Sequence, residues 1–393
     1  MTPDIVIVSA ARTPQGRLGG QLSTVPAVTL GATAIAGALA QGGVSPEEVD
    51  AVVMGHVLAA GTGQNAARQA AVAAGIGWRT HAASVNKVCL SGLTAVIDAK
   101  RMIAAGDADV VVAGGMESMS LAPHLLPGSR MGWAYGAVEM VDHTAFDGLT
   151  DAYDGVSMGL STDRGNGERA ITREDQDRVA LLSHQRAAAA QDAGAFAAEI
   201  VAVEVARRRQ EPLVVNEDEG VRPESTMATL ARLRPAFSES GTITAGNASP
   251  ISDGAAALVV TTRAIADDRG WPILATVGSA GQVAGPDNSL HSQPSRALQQ
   301  ALTRQRLGAE SLTMIEINEA FGSVLAQSRR DLGVEEDVVN IHGGGIALGH
   351  PIGASGARLV VHAAHELARR GAGAAGIALC GGGGQGEALI LTR

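Results

Sequence analysis

The chain has 393 residues but only two cysteines, Cys89 and Cys380. Cys89 stands just before a predicted helix that begins at Ser91-Gly92. A thiol in that place feels the positive end of the helix dipole and free backbone N–H groups, and both lower its pKa and favour the nucleophilic thiolate. The same local sequence also fits a buried, inert cysteine, so the residues alone leave both interpretations of Cys89 open.

A run of glycines follows Cys380, which ends a predicted apolar strand. The run is Gly381-Gly382-Gly383-Gly384, and Gln385-Gly386 come next. Such a run lets the backbone approach a ligand closely and present its N–H groups. A phosphate-binding loop is disfavoured, because the G-x-x-x-x-G-K-[ST] spacing is absent and no helix is predicted to follow.

A histidine in a rigid frame is the third candidate for chemistry. His350 lies between Gly349 and Pro351, directly before a predicted helix, and this frame holds its imidazole in one place. Cys89, Cys380 and His350 could together bind zinc, but no C-x-x-C or H-x-x-x-H pairing supports such a site.

An asparagine follows the predicted buried strand that ends at Ile317. The pair Asn318-Glu319 precedes a predicted apolar helix and could simply cap it. It could also supply an amide at the mouth of a cleft. The residues alone leave both interpretations open.

The elements that must position these residues occur in the same order in two parts of the chain. In the first part, a helix that begins at Ser91 precedes a strand that ends at Gly114-Gly115. In the second part, a helix that begins at Ser355 precedes a strand that ends at Gly381-Gly382. We predict an internally duplicated α/β unit, with two unrelated α/β segments as the alternative.

A different region, roughly residues 117–250, lies between these parts and is richer in Met, Pro, Asp and Arg. One clear helix is predicted at about 173–193, with loops around 123–151 and 216–223. Alternating strands and helices argue for layered α/β sheets, and a loop region over such a core commonly carries substrate contacts.

Charge and composition exclude several classes of protein. The 30 Lys+Arg against 40 Asp+Glu give a net charge of −10, which disfavours binding to nucleic acid. No segment approaches the ~18–20 uninterrupted apolar residues of a membrane span, and the N-terminus lacks the features of a signal peptide. We therefore expect a cytoplasmic protein without a membrane partner. The one dense basic run, Arg207-Arg208-Arg209, is either a solvated surface or faces an anionic ligand.

Taken together, the motifs resemble those of the thiolase family, in the family's order and over essentially the whole chain. The segments that carry the resemblance are Ala11–Gly16, Asn86–Gly92, Gly114–Ser120, Thr244–Ser249, Asn318–Phe321, Gly349–Gly356 and Cys380–Gly386. The resemblance implies a layered αβαβα fold of two duplicated halves with an inserted loop domain. It implies these domains: an N-terminal half at 1–118 that continues at about 245–268, a loop domain at 119–244 and a C-terminal half at 269–393.

The resemblance also implies catalytic roles. Cys89 would attack an acyl-CoA thioester and hold the acyl group, while His350 would take the proton of Cys89. Cys380 would be the second acid/base, acting at the α-carbon of acetyl-CoA. One oxyanion site would be formed by His350 and a water held by Asn318. The other would be formed by the backbone N–H groups of Cys89 and Gly382, where a side chain would close the site.

Coenzyme A is the substrate and carrier that the resemblance implies, and no metal or other cofactor is expected. Ser249 would hydrogen-bond the pantetheine arm, and Arg222 would face the adenine or the phosphates. Met158, Ala245 and Phe321 complete the expected substrate contacts.

Two departures from the family's pattern bear on the acyl chain length. Short-chain biosynthetic thiolases usually carry a histidine where this chain has Ser157, and the segment Gly285–Pro294 is longer than the usual Gly-Pro-x-Pro. The retained Met158 and the loop Leu121–Arg130, which resembles the family's tetramer-forming loop, favour an acetyl-CoA acetyltransferase that forms a homotetramer, or otherwise a homodimer. The alternative is a degradative 3-ketoacyl-CoA thiolase of broader chain length.

Three further classes fit the sequence less well. A decarboxylating ketoacyl synthase would have a histidine in place of Asn318, and a sterol-carrier-type thiolase would have a His-Asp-Cys-Phe box in place of Asn318–Phe321. A non-catalytic CoA-binding or lipid-binding subunit would have lost at least one of these catalytic residues. A reversible disulfide between Cys89 and Cys380 could exist beside catalysis.

Overall fold

Strands and helices alternate through most of the chain, and the computed structural model describes residues 3–393. The strands are β1 (Ile5–Arg12), β2 (Gly16–Arg17), β3 (Ala51–Gly55), β4 (His81–Val85), β5 (Val110–Ser118), β6 (His124–Leu125), β7 (Val141–Asp142), β8 (Val203–Arg207), β9 (Gln210–Val215), β10 (Ser252–Thr262), β11 (Ala275–Ala284), β12 (Met314–Ile317), β13 (Ala374–Gly381) and β14 (Gln385–Thr392). The α-helices are α1 (Ala27–Gly42), α2 (Ala66–Ala73), α3 (Ser91–Ala105), α4 (Met158–Asn166), α5 (Arg173–Asp192), α6 (Met227–Ala231), α7 (Arg263–Arg269), α8 (Gln293–Gln305), α9 (Gly322–Leu332), α10 (Gly345–Leu348) and α11 (Ser355–Arg370).

The strands form two sheets of the same design, joined edge to edge. In the first half β3 and β5 are parallel, and β10 and β1 continue antiparallel, so the order is β4-β3-β5-β10-β1. In the second half β12 and β13 are parallel, and β14 and β11 continue antiparallel. Val339 pairs in parallel with Ile315 of β12, just as β4 pairs with β3. The matching orders and directions confirm the predicted duplication, and β1 joins β11 across the boundary.

Five layers follow from the faces that the strands present. Side chains alternate along a strand, so Val111 and Ala113 face α3 and α11 whereas Val110 and Val112 face α1 and α2. A third apolar cluster packs α8 and α9 on the outer face of the second sheet. The order is therefore helices, sheet, helices, sheet, helices. This arrangement confirms the predicted layered αβαβα fold.

The predicted end of β5 at Gly114-Gly115 is wrong, because the strand runs on to Ser118. Both glycines serve close packing instead of a turn. A Cβ at Gly114 would lie 2.1 Å from the carbonyl oxygen of Ala256 in the neighbouring strand, and one at Gly115 would lie 2.1 Å from the carbonyl oxygen of Gly353. No side chain fits at either position.

The segment between β5 and β10 carries the hairpins β6–β7 and β8–β9 and the helices α4 to α6. The helix predicted at 173–193 is α5, where Thr172 and Asp175 cap each other's backbone N–H groups. The domain boundaries at 118, 244 and 268 stay a prediction. Within residues 3–393, no helix combines the length and apolar character that a bilayer crossing requires.

Candidate active site

A largely apolar cavity of about 310 Å³ opens where the parallel strands end. Cys89 comes soon after β4, Asn318 directly after β12, and Cys380 near the end of β13, so the topology brings these residues to one side of the joined sheets. Residues that line the cavity include Cys89, Met119, Leu149, Ser157, Met158, Phe237, Ser249, Phe321, His350 and Ile352.

Cys89 sits on a sharp turn that leads into α3. Val88 has φ of 51°, a left-handed conformation that costs a β-branched residue on the order of 1–3 kcal/mol. The turn is held by hydrogen bonds: Val88 N–H donates to Asn86 Oδ1 at 3.1 Å, and Ser91 Oγ donates to the Val88 carbonyl at 2.6 Å. The strained backbone fixes the place of the thiol at the cavity wall.

Burial raises the pKa of Cys89 to about 11. The expected lowering at a helix N-terminus is therefore wrong in direction. Hydrogen bonding from the backbone N–H groups of Cys89 and Gly382 acts the other way, but it only partly offsets the loss of solvent. Cys89 thus rests as a thiol and needs a base before it can attack.

His350 is a buried base of defined orientation. Ser355 Oγ donates to the Pro351 carbonyl at 2.8 Å, so its lone pairs accept from His350 Nδ1, which lies 2.5 Å away. This arrangement leaves the lone pair on Nε2. Burial, with a smaller contribution from the Arg358 charge, lowers the pKa of His350 to about 3, so the imidazole is neutral at physiological pH.

Asn318 is fully buried and lies against His350, and it does not itself line the cavity. Its Nδ2 is 3.3 Å from His350 Nε2, and its backbone N–H donates to the carbonyl of Ala378. Within residues 3–393 no side chain or backbone group pairs with the buried Asn318 Oδ1, which leaves an acceptor for a small polar molecule. The neighbouring Glu319 accepts from Ser183 Oγ at 2.6 Å and anchors the segment.

Cys380 is buried behind the cavity wall, among Met158, Leu290, Ala320 and Val324. Burial raises the pKa of its thiol, and the charge of ionised Cys89 raises it further. Both cysteines are free thiols.

The glycines after Cys380 have different reasons for being glycine. Gly383 and Gly384 have positive φ, 76° and 65°, and a Cβ at Gly384 would lie 1.9 Å from the carbonyl oxygen of Asp287. A Cβ at Gly382 would instead lie 3.4 Å from Val88 Cγ1 and 3.5 Å from Met158 Cε, which is ordinary contact. The protein itself therefore does not require a glycine at 382, and the expectation that a side chain there would close the oxyanion site stays a prediction.

The predicted substrate residues separate into two groups. Met158, Ser249 and Phe321 line the cavity. Ala245 is exposed and lies outside it. Arg222 is also exposed, and its backbone N–H donates to His184 Nδ1 at 3.2 Å. Contacts of Ala245 and Arg222 with coenzyme A stay predictions.

Two residues of the site, Ser355 and Phe237, were not predicted from the sequence. Ser355, which orients His350, lies inside the recognised segment Gly349–Gly356 and was missed because a serine at a helix start is usually a plain cap. Phe237 packs edge to face on Phe321 with ring centroids 6.2 Å apart and lines the cavity. It comes from the loop region, where no sequence signal marks it.

The basic run Arg207-Arg208-Arg209 is exposed at the tip of the β8–β9 hairpin. The buried residues of that hairpin, Val203, Val205 and Val215, belong to the apolar cluster beneath α1 and α2. The cavity belongs to other clusters, so the hairpin is anchored on a different layer of the fold.

Comparison with known proteins gives a consistent result along the chain. Residues 5–264 match the family described as "Thiolase, N-terminal domain", and residues 271–393 match "Thiolase, C-terminal domain". A Mycolicibacterium smegmatis protein named "Probable acetyl-CoA acetyltransferase" is 53% identical over 99% of this chain and 100% of its own length. The "Acetyl-CoA acetyltransferase" of Cupriavidus necator is 46% identical, with 99% of each chain covered. A Staphylococcus epidermidis protein named "Probable acetyl-CoA acyltransferase" is 44% identical over 99% of this chain and 98% of its own.

Proposed function

The chain belongs to the thiolase family and is an acyltransferase, and on this premise we propose that it condenses two acetyl-CoA molecules to acetoacetyl-CoA and free CoA, and catalyses the reverse thiolysis. The observation that carries the proposal is that Cys89 and His350 line the same cavity, where the hydrogen bond from His350 Nδ1 to Ser355 leaves the Nε2 lone pair free to act as a base. We also propose that the backbone N–H groups of Gly382 and Cys89, which act to lower the pKa of the Cys89 thiol, face the Cys89 sulfur. Two N–H donors at a nucleophile form an oxyanion site for an acyl group attached to that sulfur.

In the first half-reaction, the neutral His350 accepts the proton of Cys89 at Nε2. The thiolate attacks the thioester carbonyl, and the Cys89 and Gly382 N–H groups stabilise the oxyanion. The C–S bond to CoA then breaks, and the departing CoA sulfur takes the proton from His350. An acetyl-enzyme and free CoA result.

In the second half-reaction, Cys380 first gives its thiol proton to the free Nε2 of His350, and the resulting thiolate removes a proton from the methyl group of a second acetyl-CoA. Its raised pKa makes this thiolate a stronger base. Asn318 and His350 stabilise the enolate oxygen, either directly or through a water on the free Asn318 Oδ1. The enolate carbon attacks the acetyl group, the bond to Cys89 breaks, the Cys89 sulfur takes the proton from His350, and acetoacetyl-CoA leaves.

The proposal includes the substrate contacts. Ser249 Oγ, which donates to the Ala320 carbonyl at 3.1 Å, keeps lone pairs that can accept from the pantetheine amides. The reaction needs no metal or further cofactor, since the CoA thioester is the substrate. We place it in acyl-CoA and fatty acid metabolism in the cytoplasm, where thiols stay reduced.

The chain-length profile tests the acetyl specificity. We expect kcat/KM for thiolysis of acetoacetyl-CoA to exceed that of 3-ketohexanoyl-CoA and 3-ketodecanoyl-CoA. Each methylene that does not fit should cost roughly 10-fold or more. One observation favours the alternative, a degradative thiolase: Ser157 lines the cavity and is smaller than the family's histidine. Equal or faster cleavage of the long substrates would establish that alternative.

A homotetramer is proposed from the apolar side chains that the loop 126–140 exposes. Met131 is 90% exposed, Met140 65% and Trp133 47%, and clustered exposure of this kind marks an interaction surface. We expect light scattering to give four times the 39.8 kDa mass of one chain for the wild type. The Met131→Glu/Trp133→Glu variant should fall to twice the mass of one chain. A monomeric wild-type mass would contradict the proposal.

A further inference from the structure

The turn between His350 and α11 is docked on the first half of the fold through its backbone. The N–H of Gly353 donates to Glu117 Oε2 at 2.9 Å. The carbonyl oxygen of Gly353 lies against two glycines, since a Cβ at Gly115 or Gly55 would be only 2.1 or 2.4 Å from it. The N–H and the carbonyl group of Gly353, which belong to adjacent peptide groups, are thus both fixed by the half that carries the nucleophile.

The same docking brings the first turns of α3 and α11 into backbone contact. A Cβ at Gly92 would lie 2.8 Å from the N atom of Ala357, and a Cβ at Gly356 would lie 2.4 Å from the N atom of Leu93. The proposed nucleophile Cys89 and base His350 lie three and six residues upstream of Gly92 and Gly356. Their mutual position therefore depends on how the two helix starts meet.

The carboxylate of Glu117 supplies the hydrogen-bond acceptors that hold this contact together. It is fully buried near the end of β5 and accepts from the N–H groups of Val57 and Leu58, each at 3.1 Å, as well as from Gly353. His56 Nε2 lies 3.5 Å from Glu117 Oε1 without a hydrogen bond, and burial lowers the pKa of His56 to about 4. Backbone N–H groups rather than a cation hold the carboxylate.

We propose that Glu117 is a positioning residue, whose carboxylate fastens the His350 turn to the half that carries Cys89 and so orients His350 for proton transfer. The inference rests on the proposed function and assigns a role in it to a residue outside the cavity wall. A displacement of about 1 Å in a reacting group can cost about 10²-fold in rate. A change at Glu117 should thus slow acylation without weakening substrate binding.

The test is Glu117→Gln, which keeps the size of the side chain but turns an NH₂ group toward at least one backbone N–H. We expect acetylation of Cys89 by acetyl-CoA, followed by rapid quench and intact mass, to slow roughly 10–100-fold with KM nearly unchanged. Loss of charge alone would do the opposite, because the Glu117 carboxylate raises the pKa of Cys89. Unchanged or faster acetylation would therefore overturn the proposal.

Asp50→Asn is the matched control. Its carboxylate also accepts two backbone N–H groups, from Asp109 and Val110 at 2.9 Å each, but at the opposite end of β3 and β5. We expect this variant to be acetylated at the wild-type rate. If its acetylation slows as much as that of Glu117→Gln, the cause is a general destabilisation of the strands and the inference is wrong.

Gly353→Ala tests the same contact from its other side, because its Cβ would lie 2.7 Å from Glu117 Oε2. It should slow acetylation to a similar extent, and the double variant should be no slower than the worse single one. If the two substitutions slow acetylation additively, the proposal is contradicted. If Glu117→Gln does not fold, a normal acetylation rate in Gly353→Ala contradicts it. If the wild type itself is not acetylated, the proposed function has failed instead.

Discussion

Replacing Cys89 with serine is expected to abolish the acetyl-enzyme and to lower both condensation and thiolysis by on the order of 10⁴-fold or more. The cause lies in the pKa values of the pair. His350, with its pKa lowered to about 3, is a weak base that suffices only for a nucleophile as acidic and polarisable as a thiol. A serine hydroxyl is far less acidic and would stay protonated at position 89, just before the start of α3.

The measurement is the intact mass of the protein after incubation with acetyl-CoA, with peptide mapping of any adduct. Wild type should carry one acetyl group on the peptide that contains Cys89, and Cys89→Ser should carry none. Unchanged binding of CoA by calorimetry would show that the variant site is intact. A stable acetyl adduct on the variant would place the nucleophile elsewhere.

The fold was largely predictable because local signals and the duplicated order of elements agree. α5 begins and ends almost as predicted, since Thr172 and Asp175 form a capping box that depends only on neighbours in sequence. The end of β5 was mispredicted because Gly114 and Gly115 are explained by contacts with Ala256 and Gly353, which lie far away along the chain. Distant backbone contacts leave no local pattern.

The site was predictable in part of its membership and much less so in its electrostatics. A helix N-terminus correctly marks where Cys89 lies, but the sign of its pKa shift is set by burial under Met119 and Ile352, which other segments supply. The role of Gly382 could not be derived for a related reason. A Cβ at position 382 would make only ordinary contacts with the protein, so any need for glycine there comes from the ligand.

Replacing Cys380 with alanine is expected to separate the two half-reactions. Acetylation of Cys89 uses the sulfur, His350 and the backbone N–H groups of Cys89 and Gly382, and none of these is removed. Exchange of labelled CoA into acetyl-CoA should therefore stay within about 10-fold of wild type, whereas condensation and thiolysis should fall by about 10²–10⁴-fold, as expected for loss of a general base. A small change in the exchange rate is expected because the two thiols are electrostatically coupled, so that removing Cys380 changes the surroundings of the buried Cys89.

Cys380→Ser is the matched companion, because it keeps a hydroxyl of similar size in the same pocket but lacks a thiolate. If Cys380 only filled space among Met158, Leu290 and Val324, serine would restore much of the activity that alanine loses. If it is the base, both variants should fail alike at carbon–carbon bond formation. Both should also stop the exchange of deuterium from solvent into the methyl group of acetyl-CoA, a step that requires proton removal but no second acyl group. Deuterium exchange at the wild-type rate in either variant would assign the proton transfer to another group, and His350 is the remaining base at the cavity wall.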